Sequence, residues 1–214
     1  MGLELVNTPL FRDSTLVNYW RFEGNSNDSK GSNNGSDTGI TYGSGHGMFG
    51  QGASFPNSNS AINIAAPFLG NSHFTMNVWL RTSSTNSAFI IAWGGYEFEV
   101  VNISGSMIAR IGAGLTFYGS KTFNDGNWHM LTFVYDGTNV SWYFDGVLDT
   151  TTTATLTFSS GGTIVIGANP NGTNGEWRGD MDDFYIFSRA LFPGEINSLF
   201  TGIFGGAAFL LTLL

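Results

Sequence analysis

The chain has 214 residues and no cysteine, and its 8 Lys and Arg face 16 Asp and Glu, a formal net charge of −8. Disulfides, thiolate metal sites and cysteine catalysis are thereby excluded, and so few basic residues leave no patch for nucleic acid. The scattered His46, His73 and His129 argue against a zinc centre, whereas surplus carboxylates in Asn-, Ser- and Gly-rich loops suit a hard cation such as calcium.

This length fits one large all-β domain that buries enough core to need no covalent staple. Asn, Ser, Thr and Gly abound while only 11% of residues are charged, the composition of extracellular, cell-surface and virion proteins. The opening Met1-Gly2-Leu3-Glu4-Leu5-Val6 has no basic stretch leading into an apolar run, so no secretory signal is visible. An exterior-type composition without one points to a virion component or a processed chain.

Residues 1–14 read as an arm leading into the domain. Leu16 to Glu23 forms the first strand, followed by a polar loop, Gly24 to Gly39, too polar for core and too long for a hairpin turn. Short strands follow at Ile40–Tyr42, Ala53–Phe55 and Ala61–Ile64. Phe74 to Arg81 alternates well, with Phe74, Met76, Val78 and Leu80 on one face. Further strands are expected at Ala88–Trp93, Tyr96–Val101, Ser106–Ile111 and Leu115–Tyr118.

The strongest local signal comes next. Asp136-Gly137 and Asp145-Gly146 each close an aromatic, β-branched run, so strand, turn, strand and turn follow one another. The run Trp128–Tyr135 is apolar on both faces and belongs in the middle of a covered sheet. Val140, Trp142 and Phe144 alternate with Ser141, Tyr143 and Asp145, so the second run buries one face more than the other. Strands at Thr163–Gly167 and Met181–Phe187 complete the set, and turn residues recur at the spacing of a sandwich or jelly roll. Pro193 to Phe200 is the one convincing helix, with proline in its first turn and Ile196, Leu199 and Phe200 at helical spacing.

The tail from Gly202 to Leu214 is uncharged and mostly apolar. It is too short to cross a bilayer as a helix, which takes roughly 20 residues. It folds onto the domain, docks in a neighbouring subunit or meets a membrane surface, since exposed it would aggregate.

Several segments in order carry a family resemblance. Leu16-Val17-Asn18-Tyr19-Trp20-Arg21-Phe22-Glu23-Gly24 leads into Asn27-Asp28-Ser29-Lys30-Gly31-Ser32-Asn33-Asn34-Gly35. Gly47-Met48-Phe49-Gly50-Gln51-Gly52-Ala53-Ser54-Phe55 follows. The hairpin is succeeded by Arg178-Gly179-Asp180-Met181-Asp182-Asp183-Phe184-Tyr185-Ile186-Phe187-Ser188-Arg189-Ala190-Leu191. From about residue 15 to 200 the chain resembles the laminin-G-like, concanavalin-A-like jelly-roll family. The resemblance implies an all-β, two-sheet antiparallel jelly-roll β-sandwich with one short C-terminal helix. The domain then spans 15–201, with 1–14 as arm and 202–214 as a docking or oligomerisation tail. A fold of this kind hosts lectins, adhesion modules, spacers and a few enzymes, so it does not fix the ligand.

The resemblance further implies Ca2+ at one edge of the sandwich, on Glu23, Asp28, Asn33, Gly35 and Asp182. Asp182 is favoured over Asp183 because it aligns with the family's first acidic position. Calcium takes six to eight oxygens from carboxylates, amides and carbonyls in flexible loops. The competing reading is that Asp28 and its Asn neighbours make Asx-turns and Asp182 caps a loop.

A glycan surface needs exposed aromatic faces with polar neighbours. Trp93, Tyr96, Tyr118 and Trp177 lie at strand ends or in Gly/Asn-rich loops, and Trp177 stands between Glu176 and Arg178. Trp20, Trp79, Trp128 and Trp142, inside strands, read as core. Glu97 and Glu99 share a strand face at a spacing that retaining glycosidases use, but the longer acidic motif of the related glucanases is missing. His129 is expected to have no Ser or Asp partner in its neighbourhood, and reads as ending a strand and packing beside Trp128.

The chain therefore reads as a non-enzymatic, surface-displayed binding or structural module. The expected setting is a virion or other extracellular assembly, as decoration, fibre or spike, with glycan adhesion. A free carbohydrate-binding lectin is the alternative and a glycoside hydrolase a third. The expected partners are other subunits through 202–214 and glycans, with no nucleic acid and no membrane.

Overall fold

The computed structural model describes residues 4–56, 59–65, 73–93, 98–103, 106–111, 115–156, 162–169, 175–204 and 207–208, with backbone alone for 98–111, 115, 117 and 203–208. Two antiparallel sheets stack face to face. The first runs, in spatial order, β13 (Val147–Thr153), β12 (Asn139–Phe144), β11 (Trp128–Tyr135), β6 (Phe74–Arg81), β15 (Gly179–Phe187), β4 (Gly52–Phe55) and β3 (Thr41–Gly43); β1 (Leu16–Trp20) pairs the second half of β15. The second runs β10 (Leu115–Thr122), β9 (Ser106–Ile111), β8 (Phe98–Ile103), β7 (Ala88–Trp93), β14 (Thr163–Ile166), β5 (Ala61–Ala65) and β2 (Gly35–Thr38). This is the two-layer β-sandwich that the alternating pattern requires. β11 sits between β12 and β6, inside its sheet, which explains its two apolar faces.

The main core lies between the layers. The first sheet contributes Trp20, Phe74, Met76, Val78, Leu80, Phe133, Trp142 and Phe184, and the second contributes Ile62, Ile64, Ile90, Trp93, Ile164 and Ile166. Trp20 stacks on Phe184 at 5.1 Å between ring centroids, and Phe133 meets Trp142 edge-on at 4.8 Å. Such pairs add about 0.5–1.5 kcal/mol each beyond the area they bury. The interior void lined by Met76, Val78, Ile91 and Leu131 is only ≈ 10 Å³, too small for an internal ligand.

The outer face of the first sheet is also apolar, and both ends of the chain cover it. Residues 4–14 are not a free arm: 3₁₀ turns at Leu5–Asn7 and Pro9–Arg12 press Leu5 and Leu10 onto Tyr19, Tyr185 and Phe187. The helix α1 (Pro193–Thr201) adds Ile196 and Leu199 to the same cluster. Arg189 ties the two ends together. Its Nη2 donates to Asp13 at 2.6 Å and to Glu195 at 2.7 Å, and Glu195 in turn accepts the Phe192 N–H at 2.8 Å. Gly202 stops the helix at φ 74°, donating its N–H to Ser198 O.

Two strands fall in segments the sequence left as loop. β2 lies in the polar stretch 24–39, and β13 follows the Asp145-Gly146 turn, whose φ angles of 51° and 78° are those of a type I′ hairpin. The tail begins as a small antiparallel ladder of β16 (Ile203–Phe204) with β17 (Ala207–Ala208), and residues 209–214 lie outside the described residues. No helix among the described residues is long and apolar enough to cross a membrane.

Candidate functional site

β15 is an interior strand of the first sheet, beside β6, and carries a bulge. Its partner β6 shifts register between Asp182 and Tyr185, and Asp183 takes the left-handed conformation at φ 48°. The bulge lets the first half of β15 pair with β4 and the second half with β1. It also turns two carboxyl groups away from the sandwich core. Asp182 Oδ2 accepts the N–H groups of Met48 and Phe49, both at 2.8 Å. Asp183 accepts the Tyr19 hydroxyl and the Leu5 N–H.

Both carboxyls are buried, at 0% and 1% exposure. Burial, with the neighbouring Asp183 charge, pushes Asp182 up to about 9. Burial pushes Asp183 up to about 8, against the Tyr19 hydrogen bond that lowers it. The native state thus holds protons that the unfolded chain releases in the ordinary carboxylate range near 3.8. The stabilisation is complete below that range and is lost as pH climbs to about 8–9. Thermal melts are expected to show a midpoint falling across this interval, and Asp183→Asn is expected to flatten the fall; a pH-independent midpoint would contradict the assignment.

Of the five residues expected to hold calcium, Asp28 and Asn33 meet in one turn, while Glu23 and Asp182 both reach the 48–51 loop. Asp28 Oδ1 accepts the N–H groups of Tyr19 (3.0 Å), Lys30 (3.0 Å) and Gly31 (2.9 Å), while Oδ2 accepts Asn18 Nδ2 (2.5 Å) and the Asn33 N–H (3.1 Å). These five donors fill a carboxylate with about four lone-pair sites. Burial raises the Asp28 pKa, but the Gly31 and Tyr19 N–H groups outweigh it and hold it low. The Asn33 carbonyl is taken by Trp20 Nε1 at 2.8 Å. Gly35 is a packing position, since a Cβ there would lie 2.5 Å from Ser26 Oγ and 2.6 Å from Ile62 Cγ2. Glu23 accepts the Gln51 N–H at 3.2 Å. Glu23 and Asp182 thus grip the 48–51 loop from two sides with its own amides.

Among the described residues no group of three or more His, Asp or Glu is arranged to hold a metal. In this structure N–H donors engage the Asp28, Glu23 and Asp182 carboxylates, in keeping with the hydrogen-bonded-turn reading that the sequence also left open. Asp28→Ala is expected to cost about 3 kcal/mol by orphaning amides that now bind a charged acceptor. Chelator is expected to leave the wild-type melting midpoint unchanged; a calcium-dependent rise would restore the ion.

The aromatic positions divide. Trp93 and Trp177 are 2% and 0% exposed and cannot stack on a sugar. Trp93 ends β7 on the face turned toward Phe74, and Trp177 packs against Phe123 while its backbone N–H donates to Gly167 O. Tyr118 is 67% exposed, on the edge strand β10. Tyr96 and Glu97 lie outside the described residues, and Glu99 stands opposite Arg110 in the β8–β9 ladder. His129 does have acidic partners: its Nδ1 lies 2.9 Å from Asp145 Oδ2 and its Nε2 3.1 Å from Asp125 Oδ1. Both aspartates belong to turns flanking the hairpin, so the imidazole locks turns together.

Folding assembles a site that sequence order does not show. Where β4 and β6 end and β15 begins, a cleft of ≈ 420 Å³ opens to solvent. β4 and its continuation supply Ser54, Phe55 and Pro56; the segment leaving β6 supplies Arg81, Thr82, Ser83 and Ser84; β15 and its approach supply Arg178, Gly179 and Asp180. Register puts Asp180 opposite both Ser54 and Arg81. Arg81 donates to Asp180 Oδ2 from Nε (3.0 Å) and Nη2 (2.6 Å), and His46 Nδ1 lies 2.8 Å from the other oxygen. Thr82 Oγ1 donates to Arg178 O at 2.5 Å and accepts the Ser84 N–H at 3.0 Å, fixing the wall. Behind it the buried indole Nε1 of Trp177 has no hydrogen-bond partner among the described residues; a Cβ on Gly179 would sit 3.1 Å from it and 2.3 Å from Arg81 O.

This arrangement offers hydroxyls, a fixed ion pair and a free guanidinium, which bind polar ligands by hydrogen bonds. The strongly perturbed carboxyls, by contrast, are sealed under residues 4–14 and the 48–51 loop, out of reach of a substrate.

The chain belongs to the concanavalin A-like lectin/glucanases superfamily, whose family model matches residues 54–197. No curated protein matches the sequence. Among solved structures, domain 4 of AbnA, a GH43 extracellular arabinanase from Geobacillus stearothermophilus, in complex with arabinotriose, aligns with a TM-score of 0.69 at 18% identity over 86% of this chain and 98% of that one. The binding domain of Paraclostridial Mosquitocidal Protein 1 aligns at 0.71 and 16% identity over 88% of this chain and 52% of that one. A botulinum neurotoxin type C structure, from a toxin whose uptake depends on two ganglioside molecules, gives 0.71 and 16% over 88% of this chain and 51% of that one. The chain thus spans about half the length of these toxin domains. At such identities the likeness shows the fold.

Proposed function

We propose that this chain is a non-enzymatic, exterior glycan-binding module whose site is the cleft between the ends of β4 and β6 and the start of β15. The observation that carries this reading is the cleft's make-up: a ≈ 420 Å³ opening walled by Ser54, Thr82, Ser83, Ser84, Arg81, Arg178 and Asp180. Sugar hydroxyls are met by such polar side chains, held in place by their own hydrogen bonds. Support comes from the arabinanase domain of similar fold that was captured with arabinotriose. A glycan array with the full chain is expected to show saturable binding. Ser83→Trp, at an exposed lining position, is expected to fill the cleft and weaken that binding by about tenfold or more without lowering the melting midpoint. Undiminished binding by this variant would move the site elsewhere, and silence across the array would remove the reading.

A second reading, as a subunit of a larger assembly such as a virion decoration, is favoured by an exposed apolar seam. Val147 and Leu148 on β13 are 64% and 52% exposed, and Tyr118 on the adjoining β10 is 67% exposed. The Ser120 N–H donates to Asp149 Oδ2 at 2.7 Å across the two edges. Gly146 lies against Phe200 near the end of α1, so the apolar tail leaves the helix close to β13. The reading takes a second copy of the chain as occupant. Light scattering is expected to find more than a monomer, and Val147→Lys combined with Leu148→Lys to reduce it to one; a monomeric wild type would refute this.

A further inference from the structure

Two of the chain's 8 Lys and Arg line the cleft, and they are in different states. Arg81 is committed. Besides its two bonds to Asp180, its Nη2 donates to Gly45 O at 2.6 Å, and its guanidinium lies 5.0 Å from the centre of the Trp128 ring. Asp180 is fully used by Arg81 and His46. Arg178 is exposed, and among the described residues its guanidinium has no ion pair and no hydrogen bond. Its backbone carbonyl is nevertheless pinned by Thr82 Oγ1, so the side chain springs from a fixed point on the cleft wall. Glu176, two positions earlier, bridges β7 at Phe89 and does not line the cleft.

The charges facing the cleft therefore sum to one unmatched positive charge in a chain of net −8. A guanidinium is a planar fork that matches a carboxylate with two parallel hydrogen bonds. Around it stand hydroxyls suited to a sugar ring. Resting on the glycan reading above, we propose that the cleft takes an acidic sugar, a uronic or sialic acid residue. Its carboxylate pairs with Arg178 and its ring hydroxyls meet Ser54, Ser83 and Ser84.

Calorimetric titration of the full chain with trigalacturonate, its methyl ester, sialyllactose and lactose tests this. At least one acidic sugar is expected to bind about tenfold tighter than its neutral counterpart, the worth of a charge-assisted pair. The preference is expected to shrink as salt rises. Arg178→Gln is expected to erase the preference, bringing the acidic sugar's affinity to within about twofold of its neutral counterpart's in the same variant. Equal binding of acidic and neutral forms, or a preference that survives Arg178→Gln, overturns the acidic-sugar assignment and leaves the glycan reading intact. Silence toward all four sugars overturns the assignment, and the wider array then decides the glycan reading separately.

Discussion

The bulge in β15 sets the terms for much of the molecule. A regular strand would present Asp182 and Asp183 to opposite faces and put one of them among the aromatic rings of the sandwich core. With Asp183 in the left-handed region, both carboxyls leave that core, and Met181 and Phe184 both stay in it. The same irregularity frees the far edge of the strand to change partner from β4 to β1. Each carboxyl then organises a segment with no regular structure of its own. Asp182 holds the 48–51 loop, and Asp183 reaches Tyr19 and the start of the described chain. Buried carboxyls are costly unless neutralised or fully bonded. Here most of the bonds come from backbone amides, which no side-chain replacement elsewhere can remove.

The same geometry separates the chain's acidic chemistry from its open surface. A carboxyl with a raised pKa in a cleft would suggest a general acid. Among the described residues such groups lie beneath other segments, and Asp180, the one carboxyl among the cleft-lining residues, is paired with Arg81. The shape that remains is that of a holder of polar ligands, in keeping with a superfamily whose name covers lectins as well as glucanases. The cleft walls are stiff because they continue β4, β6 and β15 directly, and sites on strands are held more precisely than sites on free loops.

What could be read in advance followed burial. β6 and β7 were legible to the residue because alternation or continuous apolarity records which faces are covered, β9 matched in its bounds, and β11 stood out as the apolar run between two Asp-Gly turns. β2 and β13 were not: Gly35–Thr38 and Val147–Thr153 are mostly exposed edge strands, and edges leave no apolar rhythm. The family-like carboxylates at Glu23, Asp28 and Asp182 stood out as positions, but their partners are main-chain amides, which no residue identity encodes. Trp93 and Trp177 looked exposed because glycines and asparagines flank them; the opposing layer, distant in sequence, buries them. The cleft draws its Ser, Thr and Arg from three separate stretches of ordinary sequence, so nothing in their order announces it. Arg178 was visible only as a neighbour of Trp177.

The covering of the first sheet's outer face has a consequence for biosynthesis. The Leu5 amide meets Asp183 across 178 positions of chain, and the helix that completes the seal comes later still. A ribosome emitting this polypeptide exposes Tyr19, Trp79 and Met130 long before their lid exists. Leu5 and Tyr19 must wait, unanchored, for Asp183 and the helix that follows it. Maturation is therefore a late, all-at-once event, and a prematurely terminated product would be left with a sticky aromatic flank for chaperones or proteases to recognise.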